Sequence, residues 1–315
     1  MNSDAERPFV VLGAGQIGAL VAQKLTARGE PVKVVRRSSG GDLSDFMFAQ
    51  KAAAGARAII HCAVPPYHQW LTQLEPLNAG VLHAAKTSKA PLIVLDNLYG
   101  YGKPTAPLTE TSPVNPCSRK GELRARIAEQ QLDAHRRGDA RVAIARASDF
   151  YGPNVTLAAT FGERFLGRVV KGQSGECFGD PTLPHSYSYA GDVADGLITL
   201  ALESERSVGE VWHLPVAQTE STESIVKRFG RALGFAKELQ TNTIPSLVLR
   251  VMALFVPAVK ELLEMRYQWQ LPFVLDDSKF RSSFGAKAKA TSLDDGVAAT
   301  VAWLKASRPA APLRR

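Results

Sequence analysis

Cysteine is scarce in this chain. Three occur among 315 residues, Cys62, Cys117 and Cys177, and no two form a CxxC pair. So odd and sparse a set makes no disulfide framework and fits a reduced, cytoplasmic setting. The six histidines form no HExxH motif and sit near no cysteine cluster, so no metal is expected. Long apolar runs are also lacking. The most apolar late stretch, Ser246 to Met265, is broken by Arg250, Pro257, Lys260 and Glu261, whereas a bilayer span needs about twenty mostly apolar residues. Asp4 and Glu6 precede the first apolar run, which is not a signal-peptide pattern. No membrane partner is expected. Lys+Arg is 38 against 30 Asp+Glu, a net charge of +8. That surplus lies in no single run, and part of it (Arg308, Arg314, Arg315) falls in a tail of prolines and alanines. Without a zinc finger or an RNA-binding aromatic motif it indicates no nucleic-acid partner.

What is present is concentrated near the amino end. Pro8 to Leu12 (PFVVL) is a β-branched-rich run that reads as a buried parallel strand. Gly13-Ala14-Gly15-Gln16-Ile17-Gly18 follows, then a stretch with Leu20, Val21 and Leu25 at helical spacing, a stop at Gly29, and a second strand over Val32 to Val35. A GxGxxG between a strand and a helix, with another strand behind it, is the context in which the motif grips a dinucleotide. Gly13 makes the tight turn, Gly15 admits the pyrophosphate to the backbone, Gly18 lets the helix pack on the strand, and the amides of Gln16 and Ile17 open the helix toward the phosphates. An acid at the end of the second strand would select NAD. Arg36 and Arg37 stand there instead. Paired guanidinium groups suit a 2′-phosphate, so NADP(H) is expected over NAD(H).

Further strands are expected at Ala58 to Ala63, Pro91 to Leu95 and Val142 to Ala145. Helices are expected from Asp42 to Ala54, Leu77 to Ser88 and Lys120 to Arg137. This alternation predicts an α/β fold, a Rossmann-like doubly wound parallel sheet, with a smaller, mostly helical C-terminal substrate-binding region. The cofactor domain is assigned to 1–153 and 186–215, the substrate region to 154–185 and 216–305, and a flexible tail to 306–315. Ligands of such sheets lie beyond the carboxyl ends of the strands, which points to Val64 to Trp70, Asp96 to Gly102 and Ser148 to Pro153. Pro66, Tyr67 and His68 have the composition of a small-ligand pocket wall. His68 is one candidate general acid, because an imidazole titrates near neutrality. Val248, Leu249, Met252, Leu254, Phe255 and Val259 make an apolar helical surface for packing, for pocket lining or for a contact in a homodimer.

With these segments in place, the chain resembles the extended and atypical short-chain dehydrogenases/reductases, including the NAD-dependent epimerase/dehydratase group. The resemblance covers nearly the whole chain. GAGQIG is similar to the family's glycine motif, and Asp42-Leu43 to the pair that contacts adenine. HCAV, carrying Cys62, Ala63 and Val64, resembles the strand end that lines the nicotinamide, and LYGYG at Leu98 to Gly102 resembles the turn after the strand bearing the family's serine. RASDFYGP, containing Tyr151, resembles the family's arginine-to-GP stretch, and YSYAGDV, beginning at Tyr187, the segment where the chain returns to the sheet. Tyr151 and Tyr187 are expected on the substrate side.

The catalytic positions depart from the pattern. The family's serine falls on Asn97, and no tyrosine lies between Tyr101 and Tyr151 to supply Tyr-x-x-x-Lys. The corresponding pair falls on Gly121 and Ala125 or, one residue earlier, on Lys120 and Arg124. The short gap between Arg37 and Asp42 leaves little room for the family's third strand. Tyr99 is the leading substitute for the proton donor: in extended backbone it would share a face with Asn97, while Lys120 or Arg124 bonds the ribose and lowers the phenol pKa. Two readings follow. One is an oxidoreductase acting on a carbonyl, a hydroxyl or a conjugated double bond of a small metabolite, with an epimerase or dehydratase as its variant. The other is an NADP(H)-binding redox sensor without turnover.

Overall fold

The structure is a computed structural model that describes residues 6–156, 159–255 and 263–307. The expected tail beyond 307 and part of the apolar stretch before Met265, Val259 included, lie outside the described residues. The chain divides into two compact units, the first formed by 1–147, 191–215 and 276–289, the second by 148–190, 216–275 and 290–315.

The first unit is built on strands β1 (Phe9–Leu12), β2 (Val32–Val35), β3 (Ala58–His61), β4 (Leu92–Asp96), β5 (Val142–Arg146) and β6 (Val211–His213). They pair in parallel in the order β6-β5-β4-β3-β1-β2. Helices α1 (Gln16–Ala27), α2 (Phe46–Ala53), α3 (Trp70–Ser88), α4 (Arg119–Arg136) and α5 (Ala190–Leu202) alternate with them. The apolar strand sequences account for this. All four residues of both β1 and β3 are buried, as expected of strands covered on two faces. The order reverses between β1 and β3, so the crevice at their carboxyl ends is the switch point of the sheet.

As the short gap after Arg37 implied, the chain between β2 and β3 makes a 3-10 turn (Arg37–Ser39) and α2, with no strand. The edge of the sheet is therefore β2, whose outer residues are only partly buried. Two helix starts depart from the sequence reading, each for a plain cause. Helix α2 begins at Phe46 rather than Asp42, because the Asp45 carboxylate accepts from the amides of Met47 (2.8 Å) and Phe48 (3.2 Å) and caps the helix there. Helix α3 begins at Trp70, seven residues ahead of the expected start, and runs through Pro76. The proline removes one hydrogen bond, but Trp70, Leu74, Leu77, Val81 and Ala84 keep one buried face through it, and that packing decides.

The second unit pairs strand Asp149–Tyr151 with Tyr187–Tyr189 in parallel. Its core gathers Tyr151, Phe161, Phe165, Tyr187, Phe229, Val297 and Val301. Helix Thr222–Leu233 is capped by Ser221, which accepts from the Ser224 amide.

Candidate active site of the first unit

The glycine turn has the shape its sequence requires. Gly13 adopts φ +92°, and a Cβ there would lie 2.5 Å from the Ala63 Cα. Its amide donates to the Val35 carbonyl at 2.9 Å, which joins the turn to both neighbouring strands. At Gly15 a Cβ would meet nothing within 4 Å, so the space beside this backbone is open. Helix α1 starts here with no side-chain cap and no acid in its first turn. Open space, amides at a helix start and a positive dipole end are what a pyrophosphate needs. Cys62, Ala63 and Val64 follow β3, and Val64 is half exposed.

Beyond β2, Arg36 and Arg37 are exposed, and one nitrogen of Arg37 stands 3.5 Å from the Gln73 amide oxygen. The Asp42 carboxylate accepts from the Ser44 amide at 2.9 Å. That bond, with the Ser44 hydroxyl and then Arg37, holds it below the usual carboxylate range. Leu43 is packed in the core.

Two of the three segments singled out by their position after strands, Val64 to Trp70 and Asp96 to Gly102, meet on one wall; the third, Ser148 to Pro153, belongs to the second unit. Tyr67 and Trp70 pack edge to face with centroids 4.9 Å apart, and Trp70 lies 6.2 Å from Tyr99. Lys120 and Arg124, four apart on α4, face this wall. The Lys120 Nζ lies 4.4 Å from the Tyr67 ring centroid, and the Arg124 guanidinium 4.3 Å from that of Trp70. Lys120 is 1% and Arg124 7% exposed. Position 121 is closed to a larger residue, since a Cβ on Gly121 would lie 2.6 Å from the Tyr99 carbonyl oxygen.

Asn97 and Tyr99 are not an extended pair. Strand β4 ends at Asp96, Tyr99 opens a 3-10 turn, and the Asn97 Oδ1 accepts from the Tyr99 amide at 3.0 Å. This side-chain turn competes successfully with continued strand. Pro66 and His68 are exposed and Tyr67 is half-buried. Tyr151 and Tyr187 belong to the core of the second unit, where the Tyr187 hydroxyl meets that of Thr222 at 2.8 Å.

Behind the wall lies a polar layer that the sequence reading missed. Strands β3, β4, β5 and β6 end in His61, Asp96, Arg146 and His213, all buried. Register sets Asp96 beside Arg146, and Arg146 beside His213. Asp96 pairs with Arg146 Nε at 3.2 Å and with an Arg124 terminal nitrogen at 3.4 Å. Arg146 stacks on Tyr101 at 4.6 Å, and the Tyr101 hydroxyl meets His213 Nε2 at 2.7 Å. The available signal was an ionisable residue closing each apolar run: AIIH, LIVLD, VAIAR, VWH.

His213 Nδ1 faces the Asp276 carbonyl at 2.9 Å. A carbonyl only accepts, so Nδ1 carries the proton and Nε2 accepts from Tyr101. Burial above all pulls the His213 pKa down to about 4, and burial, then Arg124, pulls His61 down to about 3. Unfolded, both titrate near 6.5. Below that pH the unfolded chain binds more protons, so stability falls with acidification by about 1.4 kcal/mol per pH unit for each ring. The thermal midpoint should drop steeply from pH 6.5 to 5, and His213→Gln should flatten the slope. Equal slopes in the two proteins would show that His213 is already solvated.

Among the described residues no cluster of His, Cys, Asp and Glu is able to hold a metal ion, and no helix is long and apolar enough to cross a membrane.

The first unit's architecture is matched in known structures. The chain is similar to dTDP-glucose 4,6-dehydratase from Bacillus anthracis str. Ames, solved in complex with NAD, at 15% identity over 96% of this chain and 97% of that one, TM-score 0.77. It is similar to UDP-glucuronic acid 4-epimerase from Bacillus cereus, solved with UDP-glucuronic acid and NAD, at 19% identity over 95% and 99%, TM-score 0.74. It is also similar to DesIV, a dTDP-glucose 4,6-dehydratase from Streptomyces venezuelae, at 19% identity over 95% and 97%, TM-score 0.76. At such identities these likenesses establish the fold. No curated protein matches the chain. The sequence model of one family matches residues 9–214, well over half of the length. The chain belongs to the NAD dependent epimerase/dehydratase family.

Proposed function

We propose that this protein is an NADP(H)-dependent oxidoreductase acting on a carbonyl or hydroxyl carbon, or a conjugated double bond, of a small metabolite, with a catalytic set that replaces Tyr-x-x-x-Lys. The observation that carries this is the convergence of Tyr67, Trp70 and Tyr99 with the buried cations Lys120 and Arg124. Charges are rarely buried in an apolar wall unless the site uses them.

The residues present fit a dinucleotide, on the ground of the open space at Gly15 and the uncapped start of α1. Gly13, Gly15, Gln16, Ile17 and Gly18 would hold its pyrophosphate, Asp42 and Leu43 its adenine, and Cys62, Ala63, Val64 and Asn97 its nicotinamide end, with Lys120 at the ribose. When bound, a nicotinamide carrier supplies or accepts the hydride. The chain's own part is the proton. The Tyr99 hydroxyl donates to the substrate oxygen in reduction and takes the proton back in oxidation. The Arg124 charge interacts with the Tyr99 and Tyr67 phenols and would stabilise an oxyanion formed beside them. Asn97 spends its Oδ1 on the Tyr99 amide, which leaves its amide nitrogen to donate to the substrate oxygen.

The preference for the phosphorylated carrier rests on Arg36 and Arg37 at the edge strand, where a carboxylate would otherwise read the ribose hydroxyls. The solved neighbours named above contain NAD, so the comparison of carriers is the direct test. KM should be lower for NADPH than for NADH, and Arg37→Glu should raise the NADPH value by about 10- to 100-fold while sparing NADH. Equal KM values in the unaltered protein would refute the preference.

A further inference from the structure

We propose that the substrate carries a carboxylate next to its reacting carbonyl, and that Arg124 binds it. The inference rests on the oxidoreductase reading above and names the substrate class for the same wall.

The charge count points there first. Asp96 is the ion-pair partner of both Arg124 and Arg146 among the described residues, and all three side chains are buried. Two guanidinium groups thus share one carboxylate inside the unit. A buried surplus of positive charge is unfavourable unless something of opposite sign arrives to share it.

The geometry of Arg124 points the same way. Its contact to Asp96, at 3.4 Å, is longer than the 2.7–2.9 Å usual for a charge-assisted bond. Its Nε–H is buried and has no acceptor. Trp70 lies against the guanidinium, its ring centroid 4.3 Å from the central carbon, and guanidinium donors lie in one plane, where a carboxylate accepts in a fork. The phenols of Tyr67 and Tyr99 lie within the field of the same guanidinium. A carboxylate held at Arg124 therefore sets a neighbouring carbonyl beside the tyrosine that handles the proton. A 2-oxo acid, or the 2-hydroxy acid made from it, has this arrangement of groups.

The test is a titration of the whole protein with NADP⁺ present, read by calorimetry, using benzoylformate, its methyl ester and inorganic phosphate as probes. The acid should bind at least about tenfold more tightly than the ester. Arg124→Gln should abolish that preference, while Arg124→Lys keeps part of it. Asp96→Asn, which enlarges the positive surplus, should tighten the acid several-fold and leave the ester unchanged; this variant decides the matter if Arg124→Gln does not fold. Equal binding of acid and ester, or a preference that survives Arg124→Gln, overturns the proposal. Phosphate binding more tightly than the acid overturns the choice of a carboxylate. NADPH oxidation is followed separately: a retained acid preference with no turnover would count against the oxidoreductase reading and leave the anion site standing.

Discussion

Tyr99→Phe should reduce kcat by roughly 10²- to 10⁴-fold, the range over which a positioned proton donor contributes. The KM for NADPH should change little, because the ring stays in place against Trp70 at 6.2 Å and the Asn97 bond goes to the backbone amide at residue 99. In reduction the loss should be largest at acid to neutral pH and should narrow on the alkaline side, where an ionised phenol no longer donates. Tyr67→Phe offers the comparison, since its ring lies under Lys120 on the same wall. Steady-state kinetics across pH on both variants decides the assignment. Full turnover in Tyr99→Phe with a fall in Tyr67→Phe would move the proton to Tyr67, and full turnover in both would remove the phenols from the mechanism.

The second large effect separates folding from binding within one motif. A methyl on Gly18 would lie 1.8 Å from the Gly13 carbonyl oxygen and 3.0 Å from its carbon. Both atoms are backbone in the tight turn, so neither yields by a rotamer change, and α1 must move off β1. Gly18→Ala should therefore cost about 3 kcal/mol and lower the thermal midpoint by about 6 to 10 °C, with cofactor binding lost alongside. Gly15→Ala should do the reverse. Its φ of −73° suits alanine and a Cβ there meets no atom, so the midpoint should hold within about 1 °C. The methyl would nonetheless stand in the space assigned to the pyrophosphate, and affinity for NADPH should fall by more than about tenfold. Differential scanning calorimetry with and without NADPH reads both quantities. A Gly15→Ala variant that keeps full affinity would show that the pyrophosphate lies elsewhere.

Much of the first unit was legible because its information is local. A strand closed by glycine, a helix with period 3.6 and another strand state their own character within about thirty residues. The run AIIH needed no partner to be recognised as buried. Errors fell where a single side chain resets a boundary. Asp45 captures two amides and starts α2 late, and Asn97 captures the Tyr99 amide and turns the chain out of the strand.

The candidate site was legible only in part. Asn97, Lys120 and Arg124 were singled out by the family resemblance, Tyr99 by its spacing from Asn97, and Tyr67 by the composition of its loop. That Lys120 rests on Tyr67 and Arg124 on Trp70 depends on how α4 packs beside α3, over separations of about fifty residues, and no periodicity encodes such a contact.

The amino-acid sequence by itself determined the alternation of strands and helices, the glycine turn and the absence of an acid after β2, because each follows from neighbours along the chain. Only the tertiary structure decided that Asp96 is shared by two arginines and that His213 lies neutral behind Tyr101. Those facts arise from the register of parallel strands, which sets the ends of β4, β5 and β6 side by side, and from burial, which strengthens electrostatic interactions among groups removed from water.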